Sequence, residues 1–199
     1  MTTESEHYKQ AINTLWPEVE AHFAQHIGTL IRLIPLMGEK YKQKIAGLAK
    51  DYVNEGKHIT QDNPFNVTIT EGGWAGNGRI IRDAIHHYYL VKAFPGLLEP
   101  DAVFDGLHYL YGTHPDSDIS LVSNVGTVSK SVAYGMNRAD FSFISGGVVP
   151  GILIIKPDLP ENNEEWPFFW GQNEYVINIA ASYIMLVHAV DDLLSSSAK

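Results

Sequence analysis

The sequence predicts an all-α protein whose helices carry one long irregular region. Three observations lead to this prediction. Apolar residues recur at helical spacing over the first 54 residues, over about Asn77 to Phe94, and again from Asn173. Glycine and proline end these segments, as Pro95-Gly96 does after the middle one. Between residues 113 and 172 the helical spacing is lost and glycine, proline and serine occur throughout, which predicts an irregular and functional region.

Individual helices follow from the same spacing. The apolar residues from Ser5 to about Ile34 fit one helical face, and Pro17 is expected to start a second helix or to kink the first. A second amphipathic helix is predicted from about Gly38 to Asn54. A shorter one is predicted to open at Pro100-Asp101, with proline at the first helical position, and to run to Tyr111. The irregular region contains one further helical candidate, at 128–135.

The composition indicates a globular protein, and residues 1–199 are predicted to form a single domain. Hydrophobic residues make up 45% and charged residues 19%, which is enough apolar material for a sizeable core. The formal net charge of −9 and the lack of a Lys/Arg cluster argue against nucleic acid or an anionic membrane as partner. There is no cysteine, so disulfides and thiolate metal sites are excluded. The N-terminus lacks a signal-peptide pattern, and the compartment stays open, with a secreted or periplasmic parent protein among the alternatives.

The last predicted helix begins beside a candidate catalytic carboxyl group. Asn173 is expected to cap this helix and Glu174 to lie in its first turn. The helix is apolar almost all the way round, which predicts burial on most sides. Four aromatic residues precede it: Trp166, Phe168, Phe169 and Trp170. Burial among them would raise the pKa of the Glu174 carboxyl, as a general acid requires, whereas the helix N-terminus would lower it and leave Glu174 with a structural role.

Neither a metal nor a cofactor is predicted. His22 and His26 stand four residues apart on a predicted helix, but no third ligand is near them in the sequence. Asp116 and Asp118 resemble part of a calcium loop, yet too few oxygen ligands are in register to define a structural calcium site. The adjacent pair His86-His87 points to two faces of its helix and is interpreted as structural.

Four stretches of the chain together resemble glycoside hydrolase family 9, the family of many endoglucanases. Asn63 to Gly78 (NPFNVTITEGGWAGNG) is similar to the loop that introduces a helix in that family. Leu107 to Pro115 (LHYLYGTHP) resembles its Gly-x-Asn-Pro element, and Ser120 to Gly126 (SLVSNVG) resembles its Ser-Phe-Val-Thr-Gly-Phe-Gly run. Asn173-Glu174, followed by the apolar helix with Tyr183, stands where the family carries its catalytic acid. The four stretches occur in the family's order.

This resemblance implies a fold and a mechanism. The fold is an (α/α)6 toroid, a ring of helical hairpins with the active cleft across one end. The mechanism is inverting: Glu174 protonates the leaving glycosidic oxygen while an aspartate activates water on the opposite face of the sugar. Trp74 can stack on a sugar ring, and Arg138, Trp170 and Asn173 are further candidates for substrate contacts.

The chain departs from the family pattern in two places. The family's catalytic base lies in an Asp-Ala-Gly-Asp motif in the N-terminal half of the toroid, and this motif is absent here. We therefore interpret the chain as the C-terminal part of such a ring. The family's His-containing sugar-binding segment corresponds to residues 136–147 (MNRADFSFISGG), where Arg138 takes the place of the family's Arg and the histidines are missing. A β-linked substrate other than cellulose, such as an amino sugar, stays open.

Alternatives remain for single residues and for the whole chain. Trp170 could pack beneath the long loop, and Arg138 could pair with Asp140. The chain could also be a non-catalytic carbohydrate-binding or helical interaction module. As part of an enzyme it is expected to be inactive alone, and either to self-associate or to require the missing N-terminal half. The apolar helix faces expected to be open are those of Trp16, Phe23, Leu30 and Ile31 and of Ile184, Leu186 and Val187.

Overall fold

The computed structural model describes residues 2–60, 64–68, 76–114, 118–132, 144–151 and 174–197, without the side chains of 2–5, 57–60 and 197. These residues are mostly helical, so the predicted all-α class is confirmed. The helices are α1 (Thr2–Thr14), α2 (Trp16–Ala21), α3 (Phe23–Arg32), α4 (Ile34–Met37), α5 (Glu39–Thr60), α6 (Gly76–Ala93), α7 (Asp101–Leu110) and α8 (Ile177–Ser197). The chain forms two compact units, unit 1 (1–58 and 89–99) and unit 2 (59–88 and 100–199). The prediction of one domain over residues 1–199 stays a prediction.

The first long helix predicted in unit 1 is divided into the four short helices α1 to α4. Pro17 lies in the first turn of α2, as expected, and Pro35 does the same in α4. Proline favours such positions because it lacks the N–H that a helix interior needs. His22, between α2 and α3, has non-helical backbone angles, and Gly38 ends α4 with φ of 85°.

The core of unit 1 is apolar and is built on α3 and α5. Its buried members are Phe23, Ile27, Leu30, Ile31, Tyr41, Ile45, Ala49, Val53 and Leu90. Gly28 allows close packing here, because a Cβ at this position would lie 2.7 Å from the Tyr89 ring. The prediction of an open apolar face at Phe23, Leu30 and Ile31 was wrong, since these side chains are buried in this core.

In unit 2, α6 and α7 pack as an antiparallel pair. Near the start of α7, the backbone oxygen of Ala102 lies 3.2 Å from Nδ1 of His87, late in α6. Further along, a Cβ at Gly106 of α7 would lie 2.7 Å from the Ala84 side chain, earlier in α6. Only glycine permits this approach, and the two contacts fix the opposite directions of the helices.

Helix α8 runs beside α6 in the same direction. A Cβ at Gly78, in the first turn of α6, would lie 3.2 Å from the Ile179 side chain, in the first turn of α8. Towards the C-terminal ends of both helices, the Tyr88 hydroxyl of α6 donates to Asp192 Oδ2 of α8 at 3.0 Å. The N-termini of α6 and α8 therefore lie at one end of unit 2.

Two predictions about α8 were wrong. The helix begins at Ile177, so Asn173 cannot cap it and Glu174 precedes it. The first helical bonds run from the N–H groups of Ile179 and Ala180 to the oxygen of Val176. The helix is also not buried on most sides, because Ile177 is 73% and Ile184 59% exposed.

Helix α8 buries one stripe, which comprises Ile179, Ala180, Leu186, Ala189 and Leu193. Of the open face predicted at its C-terminal part, Ile184 is exposed whereas Leu186 is fully buried. By length and composition alone, the stretch Ile177–Ser196 is also apolar enough to cross a membrane, a property that the core helices of soluble proteins share.

The region between α7 and α8 contains two short strands in its described part. Strand β1 (Ile119–Ser120) pairs in parallel with β2 (Val128–Ser129). The helical candidate at 128–135 was therefore wrong where it is described, at 128–132. Asn124 and Gly126 adopt positive φ between the strands, of 60° and 85°, and these turns bring β2 back to β1.

Candidate active site

The start of α6 is tied to residues 149–151 by three hydrogen bonds. The backbone N–H of Gly76 donates to Gly151 O at 3.0 Å, and that of Asn77 donates to Pro150 O at 2.9 Å. The Asn77 side chain is fully buried, and its Nδ2 donates to Val149 O at 2.7 Å. We refer to this arrangement of Gly76, Asn77 and residues 149–151 as the Asn77 clasp.

Gly151 is essential to the shape of the clasp. Its φ is 73°, and a Cβ there would lie 2.8 Å from Asn77 Cγ. Any larger residue would suffer both backbone strain and a collision with the buried amide. Asn77 Oδ1 has no hydrogen-bond partner among the described residues.

Residues 118–132 and 144–151, which we call the loop framework, connect the clasp to the C-terminal end of α7. Val149 N–H donates to Leu121 O at 2.9 Å, and Leu121 N–H donates to Leu110 O at 2.8 Å. Val122 and Val148 form an antiparallel bridge beside this connection. The framework is thus held mainly by long-range backbone hydrogen bonds, and its buried apolar side chains are Leu121, Val122, Val132, Val148 and Val149.

The loop framework also closes the base of the segment that carries Arg138. Ile144 N–H donates to Val132 O at 3.2 Å, so the chain leaves at 132 and returns at 144 beside its starting point. Ser123 stabilises this base, because its hydroxyl donates to Lys130 O and accepts from Val132 N–H, both at 2.8 Å. Arg138 itself lies outside the described residues.

Glu174 is the predicted site residue that the structure does describe. It lies three residues before α8, and its side chain is half-buried. Burial raises the pKa of its carboxyl above the usual value. Because Glu174 is not inside the first turn, the helix N-terminus does not act on it as strongly as the sequence suggested. The direction of the shift is the one a general acid needs.

The remaining predicted site residues, Trp74, Arg138, Trp170 and Asn173, lie outside the described residues. The structure does describe the residues that flank the segments containing them. Trp74 is two residues before Gly76, and Trp170 and Asn173 belong to the segment between Gly151 and Glu174. In the clasp, Gly76 and Gly151 are joined by a backbone hydrogen bond.

An ionic cluster around the buried Asp83 in unit 2 was not predicted from the sequence. The Asp83 carboxylate accepts from Arg79 Nε at 2.9 Å and from Arg82 Nε at 3.3 Å. Burial alone would raise the pKa of Asp83, but the hydrogen bonds from Arg79 and Thr68 and the two positive charges hold it below its usual value. The four-residue spacing of Arg79 and Asp83 was the available signal. The cluster ties residue 68 to α6.

The two histidines next to this cluster are held in the neutral form. Burial lowers the pKa of His86 to about 4, although the nearby Asp83 charge opposes this. Burial also lowers the pKa of His87, whose Nδ1 lies 3.2 Å from Ala102 O. The interpretation of both as structural residues agrees with this burial.

The loop after α7 contains the buried His114 and Asp118, one of the two aspartates of the calcium alternative. The buried His114 ring contacts Ile119 O through Nε2 at 2.8 Å and so fixes the turn that leads into β1. Asp118, from the calcium alternative, is exposed with φ of 75°, whereas Asp116 lies outside the described residues. Over the ranges that the structure covers, no group of three or more His, Asp and Glu side chains is placed to hold a metal ion.

A tyrosine pair joins the end of α7 to α8. The hydroxyls of Tyr111 and Tyr183 lie 2.8 Å apart, and their rings meet edge to face. Burial, and then the hydrogen bond to Tyr111, raise the pKa of Tyr183 above its usual value. The pair fixes α8 two turns after its start.

Comparison with known proteins gives no relative: no family model matches this chain, and no curated protein matches it significantly.

Proposed function

We propose that the chain is the acid-bearing C-terminal part of an inverting glycoside hydrolase that resembles family 9, with Glu174 as the general acid. One observation carries the proposal: the half-buried Glu174, with its raised pKa, precedes α8 at the end of unit 2 where the Asn77 clasp lies. A carboxyl whose pKa is raised holds its proton to higher pH than an ordinary carboxyl, and the protonated form can donate to a leaving glycosidic oxygen.

The arrangement of the clasp supports a cleft at this end of unit 2. The segment that contains Trp74 ends at Gly76, and the segment that contains Trp170 and Asn173 begins after Gly151. Because the Gly76 N–H donates a hydrogen bond to Gly151 O, the end of the first segment lies beside the start of the second. We propose that Trp74 stacks on the sugar and that Arg138, Trp170 and Asn173 bind its hydroxyl groups.

The helix directions support part of a toroid. Successive helices α6 and α7 are antiparallel, and α6 and α8 are parallel neighbours, as in consecutive hairpins of a ring. In the proposed enzyme, the water-activating aspartate comes from the part of the ring that this chain lacks. General acid and base catalysis typically contribute about 10²–10⁴-fold each, so the chain alone is expected to be inactive.

The test uses the chain joined to whatever coding sequence lies upstream of Met1. If an Asp-Ala-Gly-Asp motif is encoded there, the joined protein is assayed on a panel of β-linked oligosaccharides, and the anomer of the product is read by NMR. Glu174→Gln should lower kcat on these substrates by about 10²–10⁴-fold. Aryl glycosides with good leaving groups should be much less affected, because they need no protonation.

The matched control is Glu55→Gln, which alters an exposed glutamate in unit 1 and should leave kcat unchanged. Equal activity of Glu174→Gln and the unaltered protein on natural linkages would assign the acid to another residue. Retention of the product anomer would contradict the inverting mechanism.

A second candidate function is a helical interaction module, and the exposed apolar side chains of α8 favour it. Ile177 and Ile184 are largely exposed and lie seven residues apart on the same face. We propose that this face associates with another helix, either from a second copy or from the missing half. Sedimentation at micromolar concentration should show association, and Ile184→Lys should shift the chain to a monomer. A clean monomer for the unaltered chain would remove this proposal and leave the enzymatic one to its own test.

A further inference from the structure

The Asn77 clasp contains a chemically labile sequence. Asn77 is followed by Gly78, the only Asn-Gly pair in the chain. Glycine has no side chain to shield its backbone nitrogen, so in a flexible chain this nitrogen readily attacks the preceding Asn amide. The same pair in this protein lies in the first turn of α6 and is buried or half-buried.

The reaction is deamidation through a cyclic imide. The Gly78 nitrogen loses its proton and bonds to Asn77 Cγ, the Cγ–Nδ2 bond breaks, and ammonia leaves with that proton. Water then adds to one of the two imide carbonyls and gives either aspartate or isoaspartate at position 77. The net change is Asn plus water to Asp plus ammonia, and no other reactant is required.

The clasp opposes every step of this reaction. Asn77 lies in the first turn of α6, and the helical backbone there does not bring the Gly78 nitrogen to the Asn77 Cγ as cyclisation requires. Its Nδ2 is held by Val149 O at 2.7 Å, and its backbone N–H by Pro150 O at 2.9 Å. The side chain is 0% exposed, so water does not reach the amide. Gly151 packs against Cγ on one side.

We propose that Asn77 is a guarded deamidation site, which is modified only when the clasp opens and which, once modified, keeps the clasp from closing again. The product would place a carboxylate oxygen against the Val149 carbonyl in a fully buried position. Two acceptors cannot bond, and a buried unpaired charge is costly. The isoaspartate product would also add a backbone atom inside α6. The fraction of modified chains therefore increases with the time that the clasp has spent open. This inference does not depend on the proposed glycosidase function.

The decisive experiment compares the full chain in native buffer and in urea at the same mildly alkaline pH. Trypsin releases residues 58–79, which contain Asn63, Asn66 and Asn77, and mass spectrometry assigns the modified position. In urea, Asn77 should be converted well ahead of the other two. Asn63 is an internal control, because it precedes Pro64, which has no N–H to attack with. In the folded chain Asn77 should deamidate at least about tenfold more slowly than in urea, because the reaction then requires local opening of the clasp.

Equal rates at Asn77 in the folded and the denatured chain would overturn the proposal. A second measurement uses Gly151→Ala, whose Cβ would collide with the Asn77 amide. In this variant Asn77 should react faster than in the unaltered chain, and a folded Gly151→Ala chain with undiminished protection would also overturn it. The consequence is tested with Asn77→Asp, which should lose amide-exchange protection at Leu121 and Val149, whereas Asn54→Asp, at an exposed helical site, should not. Full protection in Asn77→Asp would show that the modification does not open the clasp.

Discussion

The helical core of unit 1 and the loop framework of unit 2 are stabilised in different ways. The core of unit 1 consists of apolar side chains from α3 and α5 that recur every three or four residues. The loop framework consists of buried backbone groups that bond across long stretches of chain, with polar side chains supplied by Ser120, Ser123 and Ser129 within it and by Asn77 of α6. The first kind of order depends on the apolar area that is buried and on close packing, neither of which has a fixed direction. The second depends on individual directed bonds, and one substitution can remove the geometry on which a site rests.

The largest effect of a single change is expected in the core of unit 1. Ile45 is fully buried in that core, and Ile45→Ala should lower the free energy of unfolding by about 2–5 kcal/mol through lost burial and the cavity it leaves. Denaturant unfolding measures this difference. Leu36→Ala, at a side chain 48% exposed, is the control and should change the free energy by less than about 0.5 kcal/mol. Similar losses for the two variants would mean that the unit 1 core is packed loosely.

A smaller but more localised effect is expected in the clasp. Asn77→Ala removes the donor to Val149 O and leaves that buried oxygen unpaired, which should cost about 1–3 kcal/mol. Hydrogen exchange should speed up at Leu121 and Val149 in unit 2 and stay unchanged at Ile45 in unit 1. Asn54→Ala, at an exposed position of α5, is the matched control. If hydrogen exchange became faster to the same extent in both units, the distinction between the hydrogen-bonded loop framework and the apolar core of unit 1 would be contradicted.

An effect of pH is expected in unit 2 from His86. Burial lowers the pKa of His86 from 6.5 to about 4 in the folded chain, so the unfolded chain binds a proton more readily between these values. The stability contributed by neutral His86 is therefore complete above pH 6.5 and is lost as the pH falls towards 4. The steepest loss is about 1.4 kcal/mol per pH unit, the limit for one proton.

His86→Gln should flatten the dependence of stability on pH in this range, and His188→Gln, on the exposed side of α8, should not. Asp83 acts at lower pH, since its own pKa lies below 3.8 in the folded chain and its ion pairs fail only when it is protonated. An unchanged slope in His86→Gln would mean that another group controls acid unfolding between pH 6.5 and 4.

The contrast between the two regions also explains how far the sequence could predict the structure. Helical spacing predicted the apolar residues Phe23, Ile27 and Leu30 as one face, and the structure buries all three. The break at His22 was not predicted, because histidine does not break helices by its chemistry. The break before Pro35 was not predicted either. The extent of α6 was predicted within one residue, because glycine and proline mark its ends.

The loop framework could not be derived in the same way. Asn77 and Val149 are 72 residues apart, and no local pattern indicates that their amide and carbonyl meet. The candidate helix at 128–135 failed because Val128 and Ser129 instead bond to Ile119 and Ser120, which local spacing does not reveal. Glu174 was predicted as a candidate general acid from the aromatic residues near it in the sequence and from the family resemblance. The later start of α8 was missed because Tyr175 and Val176 fit a helix and an extended chain equally well.

The pKa of Glu174 tests the central claim most directly, because its measurement needs no substrate. Carbon-13 NMR of the side-chain carboxyls, titrated across the acid range, gives this value, with Glu174→Gln to assign the signal and the exposed Glu55 as an internal reference. The account predicts that Glu174 titrates above 4.5, the ordinary value, since burial raises its pKa. A Glu174 pKa at or below 4.5 would contradict the account, because such a carboxyl would be ionised where a general acid must hold its proton.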